Sequence, residues 1–262
     1  SYVADLNAPK LKPAGWDKHR APQTVKHPTD MVIYELHVRD FSINDRSVPT
    51  ELRGKYLAFT QNSSQGMKHL QELAKAGMTD LHLLPVFDLT TVPEKNCQSD
   101  PRSDKTTRAN DCFNWGYDPL HFNAPEGSYA TDAEDGAKRI LEFRRMVKAL
   151  HEAGWRVGMD MVYNHISASG QHVQSVLDRI VPGYYHRLNA KGEVERSTCC
   201  DNTATENRMM AKLMSDSILL WTQHYKLDSY RFDLMGHQPK DVMLAMQNRL
   251  QKTLKKRVDF VG

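Results

Sequence analysis

Hydrophobic positions along the chain fall into short buried-strand runs separated by stripes of helical spacing, and the pattern begins at residue 31. Before it, Pro9, Pro13, Pro22 and Pro28 stand among polar and charged residues, and each removes a backbone donor and disfavours helix in the residue before it. Residues 1–30 read as a lead-in or linker from a preceding domain. From Met31 onward, Val32, Ile33, Tyr34, Leu36, Val38 and Phe41 form a β-branched and aromatic run that predicts a buried first strand. Met67, Leu70, Leu73 and Ala74 then follow at helical spacing and stop at Gly77, a left-handed C-cap. Leu81, Leu83, Leu84 and Val86 predict a second strand. Ile140, Phe143, Val147 and Leu150 mark one stripe of a helix ended by Gly154, and Val157–Val162 a third strand. Met210, Met214, Ile218, Trp221 and Tyr225 give another helix and Leu227–Leu234 a fourth strand. Pro239 opens a helix through Val242, Met246 and Leu250 in the first turn, where its missing N–H costs nothing. Val258–Val261 begins a fifth strand.

Strands alternating with helices at this spacing predict a parallel sheet with helical crossovers, either doubly wound or closed as a barrel. The pattern alone leaves both open. The chain stops inside an apolar strand, which reads as a segment of a longer polypeptide, 31–262 being the first part of a barrel. Three connections, 42–65, 87–131 and 163–205, far exceed the usual two to six residues or so of a strand-to-helix loop. All three follow C-terminal ends of strands, the edge where α/β proteins build active sites.

Charge narrows the partners. Lys and Arg number 35 and Asp and Glu 32, a net +3 with no like-charge block longer than Lys255, Lys256 and Arg257, so no nucleic-acid footprint is present. No apolar stretch approaches the roughly 18 residues of a membrane helix, so no membrane span is expected. With 40% hydrophobic and 26% charged residues the chain is neither disordered nor collagen-like.

Chemistry concentrates at two predicted strand ends. The third strand runs into Asp160, Met161, Val162, Tyr163, Asn164 and His165, and the fourth into Arg231, Phe232, Asp233 and, beyond Gly236, His237. Period-two geometry puts Arg231 and Asp233 on one face, which in a barrel is the interior. Taken singly, each of these residues fits a buried ion pair or a satisfied histidine; as a constellation they point to catalysis. The loop after the second strand carries Trp115, Tyr117, Asp118 and His121, with aromatic faces suited to sugar rings and polar partners for hydroxyls.

The segments NWGYDP (114–119), PEGSYAT (125–131), DMVYNH (160–165), SVLDRIVPGYY (175–185) and YRFDLMGH (230–237) resemble pullulanase-type starch-debranching enzymes of the α-amylase family, and plant limit dextrinases. The resemblance runs from about Asp5 to the end. It implies a (β/α)8 TIM barrel, present here as about five strands, that hydrolyses α-1,6-glucosidic branch points in pullulan, amylopectin and limit dextrins with retention of configuration. By that resemblance Asp233 matches the nucleophile and Arg231 the arginine that holds it. Asp160 matches a carboxylate bracing that arginine, His165 a contact to the sugar being cleaved, His237 a residue facing the leaving side and Tyr117 the stacking aromatic; Trp115 and Asp118 flank it on the substrate platform. Ser229 and Tyr230 stand where the family usually has Gly and Phe. The acid/base Glu that a retaining glycosidase requires would follow the fifth strand, beyond Gly262, so this segment alone is expected to be inactive. A branched α-glucan is the expected partner, a monomer the expected state of the full-length enzyme, and no cofactor is required for the chemistry. A structural calcium accompanies the family, and Asn164 could contribute to it.

Cys97 and Cys112 bracket a polar loop and suit a disulfide that stitches an insertion, a closure contributing about 3 kcal/mol in the chain-entropy model. That bridge would place the protein in oxidising surroundings, secreted or at a bacterial cell surface; free thiols would fit a plastid or the cytoplasm. Cys199 and Cys200 are adjacent and either stay reduced or form a vicinal bridge. No His or Cys stands at metal spacing around them, so zinc is not expected. Two competing readings are a metal-dependent hydrolase built on His165, His237, Asp160 and Asp233, and a non-catalytic glucan-binding segment. The first needs ligands from four or more strands and commonly His-x-His on the first, where this chain offers His37 alone. A hydrolase of the same family with another linkage preference is the third alternative.

Overall fold

The computed structural model describes residues 2–95, 114–197 and 199–262. In chain order its strands are β1 (Ile33–Leu36), β2 (Asp80–Leu83), β3 (Phe87–Leu89), β4 (Pro119–Pro125), β5 (Arg156–Met161), β6 (His165–Ile166), β7 (Asp201–Asn202), β8 (Ser229–Phe232) and β9 (Asp259–Val261). The α-helices are α1 (Val38–Ser42), α2 (Gln65–Lys75), α3 (Gly136–Glu152), α4 (Leu177–Ile180), α5 (Arg208–His224) and α6 (Lys240–Leu254). Five of the strands form one parallel sheet in the order β1-β2-β5-β8-β9. The other four make two small antiparallel ribbons, β3 with β4 and β6 with β7, inside the long connections that follow β2 and β5.

Local chemistry accounts for most of these bounds. Ser64 caps α2 by accepting from the Met67 N–H, and Gly77 turns the chain after it at φ 108°. Asp135 caps α3 by accepting from Ala137 and Lys138, and Gly154 follows at φ 101°. Two expectations need correcting. Only Ile33–Leu36 of the first apolar run is strand: His37 accepts from the Asp40 N–H and starts a helical turn that takes Val38 and Phe41. At this edge of the sheet, Ile33 of β1 is 39% exposed and Val32, just before the strand, 48%. Pro239 is the N-cap of α6 rather than a first-turn residue.

The core joins the apolar stripes of α2, α3, α5 and α6 to the sheet, with Trp155 and Trp221 fully buried. Each indole N–H finds a backbone carbonyl, Trp155 that of Leu70 at 3.1 Å and Trp221 that of Phe122 at 2.9 Å. Leu11 and Trp16 are buried in the same core, and Arg144 of α3 holds the preceding segment by donating to the carbonyls of Leu11 and Leu6.

The two hydroxyls at 229 and 230 both find partners. His82, Gly158 and Ser229 are register neighbours on β2, β5 and β8, and His82 reaches across the glycine to place Nε2 2.9 Å from Ser229 Oγ. A Cβ at Gly158 would lie 2.4 Å from the His82 ring, so only glycine leaves this path open. Ser229 also donates to Asp80 Oδ1 at 3.1 Å, and the Tyr230 hydroxyl sits 2.8 Å from that of Thr222.

Candidate active site

Parallel pairing of β5 with β8 sets Asp160 opposite Arg231. Arg231 Nη1 donates to Asp160 Oδ2 at 2.6 Å, to Asp233 Oδ1 at 3.1 Å and to the Tyr117 hydroxyl at 3.3 Å. That hydroxyl donates in turn to Asp160 Oδ2 at 2.5 Å, and the guanidinium lies 5.9 Å from the Tyr117 ring centroid. Burial pushes Asp160 up to about 6, against the lowering pull of Tyr117 and Arg231. Burial, then the bond to Asp160, raises the Tyr117 hydroxyl as well. Asp233 stands just past β8, with its N–H on the Met161 carbonyl at 3.0 Å and Oδ2 accepting from Asn164 Nδ2 at 3.3 Å. Its side chain keeps 16% of its surface exposed where that of Asp160 keeps 3%, so Asp233 is the carboxylate a ligand can reach. Leu234, directly after it, is held at φ 46°, a left-handed conformation a branched residue adopts only under constraint.

These groups face a cavity of about 540 Å³ that Tyr117, Trp115, His165, Arg231 and Asp233 line together with Glu35, Leu84, Cys199 and Leu234. Trp115 is 61% exposed at its rim. His165 is buried, with Nε2 2.8 Å from the Tyr117 carbonyl, which ties the aromatic loop to the end of β5. A separate, mostly apolar cavity of about 450 Å³ between β4, α4 and α5 shares no lining residue with this one.

Other expected site residues point elsewhere. Asp118 turns back to accept from the Thr91 N–H at 2.7 Å and does not line the cavity. His237 is half-buried with Nε2 2.9 Å from the Thr203 carbonyl and Nδ1 beside Arg187, also off the lining. Asn164, considered above for calcium, donates through Nδ2 to Asp233, and its Oδ1 is buried without a partner. The all-carboxylate cluster among the described residues is Asp88, Glu94 and Glu126. Its oxygens already serve His121, Arg139 and the N–H groups of Leu89 and Ser128, so it does not fit a calcium ion without displacing a cation. Cys97 and Cys112 lie outside the described residues. Cys199 and Cys200 are joined as a vicinal disulfide. The sequence did not single out Glu35, Leu84 or Leu234 for the site, and marked Cys199 only for a bridge, not for the cavity; of the first three only Glu35, a charge inside an apolar strand run, carried a signal.

No protein-family model matches the chain. All of it aligns with a pullulanase of Klebsiella aerogenes at 42% identity and with the chloroplastic pullulanase 1 of Arabidopsis thaliana at 45%, in each case over 29% of the relative's length. The apo pullulanase crystal structure from Klebsiella pneumoniae superposes with a TM-score of 0.89 at 41% identity, covering 96% of this chain and 33% of that one. A D350A pullulanase from Paenibacillus barengoltzii complexed with maltotriose gives 0.82 at 37% identity over 96% of this chain and 37% of that one. The chain thus spans about 29% of these two curated pullulanases, and over that span it is their homologue in sequence and in fold.

Proposed function

We propose that this pullulanase homologue carries the nucleophile side of a retaining α-1,6-glucosidase site acting on branched α-glucans such as pullulan, amylopectin and limit dextrins. The observation that carries the reading is the single Arg231 nitrogen shared by buried Asp160 and accessible Asp233 beneath Tyr117. In this reading Asp233 attacks the anomeric carbon, Arg231 fixes its carboxylate, Asp160 and the Tyr117 hydroxyl fix Arg231, and the rings of Tyr117 and Trp115 carry the sugar. A retaining enzyme needs a second carboxyl group about 5–5.5 Å from the nucleophile. Asp160 is unsuited, being buried and committed to Arg231 and Tyr117, so the acid and base role falls to the Glu that the family resemblance puts after the fifth strand. Without that group the 262-residue chain by itself is expected to release no maltotriose, since general acid help of about 10²- to 10⁴-fold is missing.

The same reading makes residues 31–262 the first part of a (β/α)8 barrel and residues 1–30 a lead-in that packs on α3. What supports a barrel over a doubly wound sheet is strand order. A doubly wound sheet reverses direction at a switch point, whereas β1-β2-β5-β8-β9 never reverses, and right-handed crossovers then put every helix on one face.

The test is Asp233→Asn in the intact protein, an amide of nearly the same shape. Folding and maltodextrin affinity should stay near wild type while release of maltotriose from pullulan is lost. A variant that keeps more than a small fraction of the wild-type rate removes Asp233 from the nucleophile role.

A further inference from the structure

The sequence offers no third metal ligand near Cys199 and Cys200, and the fold supplies one. The two cysteines immediately precede β7, and β7 pairs with β6 so that Asn202 stands opposite His165. Both Sγ atoms and a ring nitrogen of His165 consequently lie within 4.8 Å of one another. A tetrahedral zinc ion, with sulfur at about 2.3 Å and nitrogen at about 2.0–2.1 Å, sets such atoms roughly 3.5–3.8 Å apart, so small side-chain rotations would suffice.

We infer that, once the Cys199–Cys200 bridge is reduced, His165, Cys199 and Cys200 form a three-ligand site for Zn²⁺ with its fourth position open to the cavity. A dithiol reductant supplies the two electrons that break the S–S bond and becomes a disulfide itself, leaving two thiols; zinc then binds both sulfurs as thiolates and releases two protons. Cys199 is exposed and lines the cavity, so a reductant can reach it. The Tyr117 carbonyl faces His165 Nε2 and the Asn164 amide Nδ2, a donor, faces Nδ1; if zinc takes Nδ1 in place of that amide, the Nε2–H still donates to the Tyr117 carbonyl, which orients the ring. Two thiolates also balance the dication, so Arg231 on the same cavity meets no added positive charge. The inference rests on this geometry and not on the glucosidase reading.

The experiment is an anaerobic titration of the intact protein with Co²⁺ and then Zn²⁺, in a Cys97→Ser, Cys112→Ser background so that, of the four cysteines in this chain, only Cys199 and Cys200 respond. Reduced protein should take up one equivalent of Co²⁺ with a thiolate-to-cobalt charge-transfer band that Zn²⁺ abolishes, and oxidised protein none. His165→Ala should weaken the affinity by at least the roughly 10- to 100-fold that loss of even an outer-shell partner costs. If the background substitutions disturb folding, unsubstituted protein compared with Cys200→Ser gives the same contrast. Equal uptake by the oxidised and reduced forms, absence of the thiolate band, or an affinity untouched by His165→Ala would overturn the assignment.

Discussion

Asp160 and Arg231 are register partners on neighbouring parallel strands, and Asp160 Oδ2 lies 2.6 Å from the Nη1 that also contacts Asp233. Side chains two apart on a strand share a face, so Arg231 and Asp233 rise on the same side of β8 while Asp160 meets them from β5. A buried carboxylate, a shared guanidinium and a reachable carboxylate thereby form a line leading out to the cavity.

The Arg231 Nη1, held in a rigid guanidinium plane, is the element this line depends on. Arg231→Lys retains the charge but puts an ammonium on a flexible stem where one nitrogen, Nη1, fixed in the guanidinium plane, served three acceptors. In the intact protein kcat for pullulan should fall on the order of 10²-fold, the cost of a misplaced reacting group. The melting temperature should move little, because the Arg231 side chain is 35% exposed and solvent screens the pair. A lysine variant within threefold of wild-type kcat contradicts the positioning role.

Tyr117 offers a ring and a hydroxyl, and two variants separate them. Tyr117→Phe keeps the face but removes the donor to Asp160, so the Asp160 midpoint should rise further above about 6 and kcat should fall modestly. Tyr117→Ala also removes the platform, so KM should rise along with a larger fall in kcat. Carboxyl NMR titration and steady-state kinetics on both variants check this. A lowered melting temperature with kcat unchanged in the alanine variant would leave Tyr117 a structural residue only.

Asp160 gives the stability a definite pH dependence. Its folded-state value, about 6, lies above the ordinary 3.8, so the native state holds this proton more tightly than the unfolded chain does. The associated stability is complete below about pH 4 and is lost as pH rises through about 6, an order-of-magnitude total of about 3 kcal/mol. Denaturant midpoints of wild type and Asp160→Asn, measured from pH 4 to 7, should show wild type losing ground to the variant as pH rises. A difference that is flat, or that grows in favour of wild type, would contradict the raised value.

His82 and Ser229 provide a test apart from the chemistry. Ser229→Ala leaves the buried His82 Nε2 without the hydroxyl at 2.9 Å, at a cost of about 1–3 kcal/mol. Gly158→Ala drives a Cβ into the same ring and should cost a similar 1–3 kcal/mol. Urea unfolding gives both numbers, and values within about 0.5 kcal/mol of wild type would show that the row is slack.

The amino-acid sequence by itself determined the secondary-structure alternation, the long loops at one edge of the sheet and the Arg231–Asp233 pair. Each is a property of a single stretch of chain: the stripe from Met67 to Ala74, the C-cap at Gly77, the period of two from Arg231 to Asp233. Tertiary structure decided what depends on distant stretches meeting. It ended β1 at Leu36 because His37 caps a helical turn, and it set the unreversed strand order. It turned Asp118 inward to Thr91 and His237 to Thr203, although both are as polar in sequence as the residues that do line the cavity. It also carried Cys199 and Cys200 to His165 through the pairing of β6 with β7. Hydrophobic period fixes which face of a strand or helix is buried, but a loop side chain is aimed by the backbone it lands against, and that partner lies dozens of residues away.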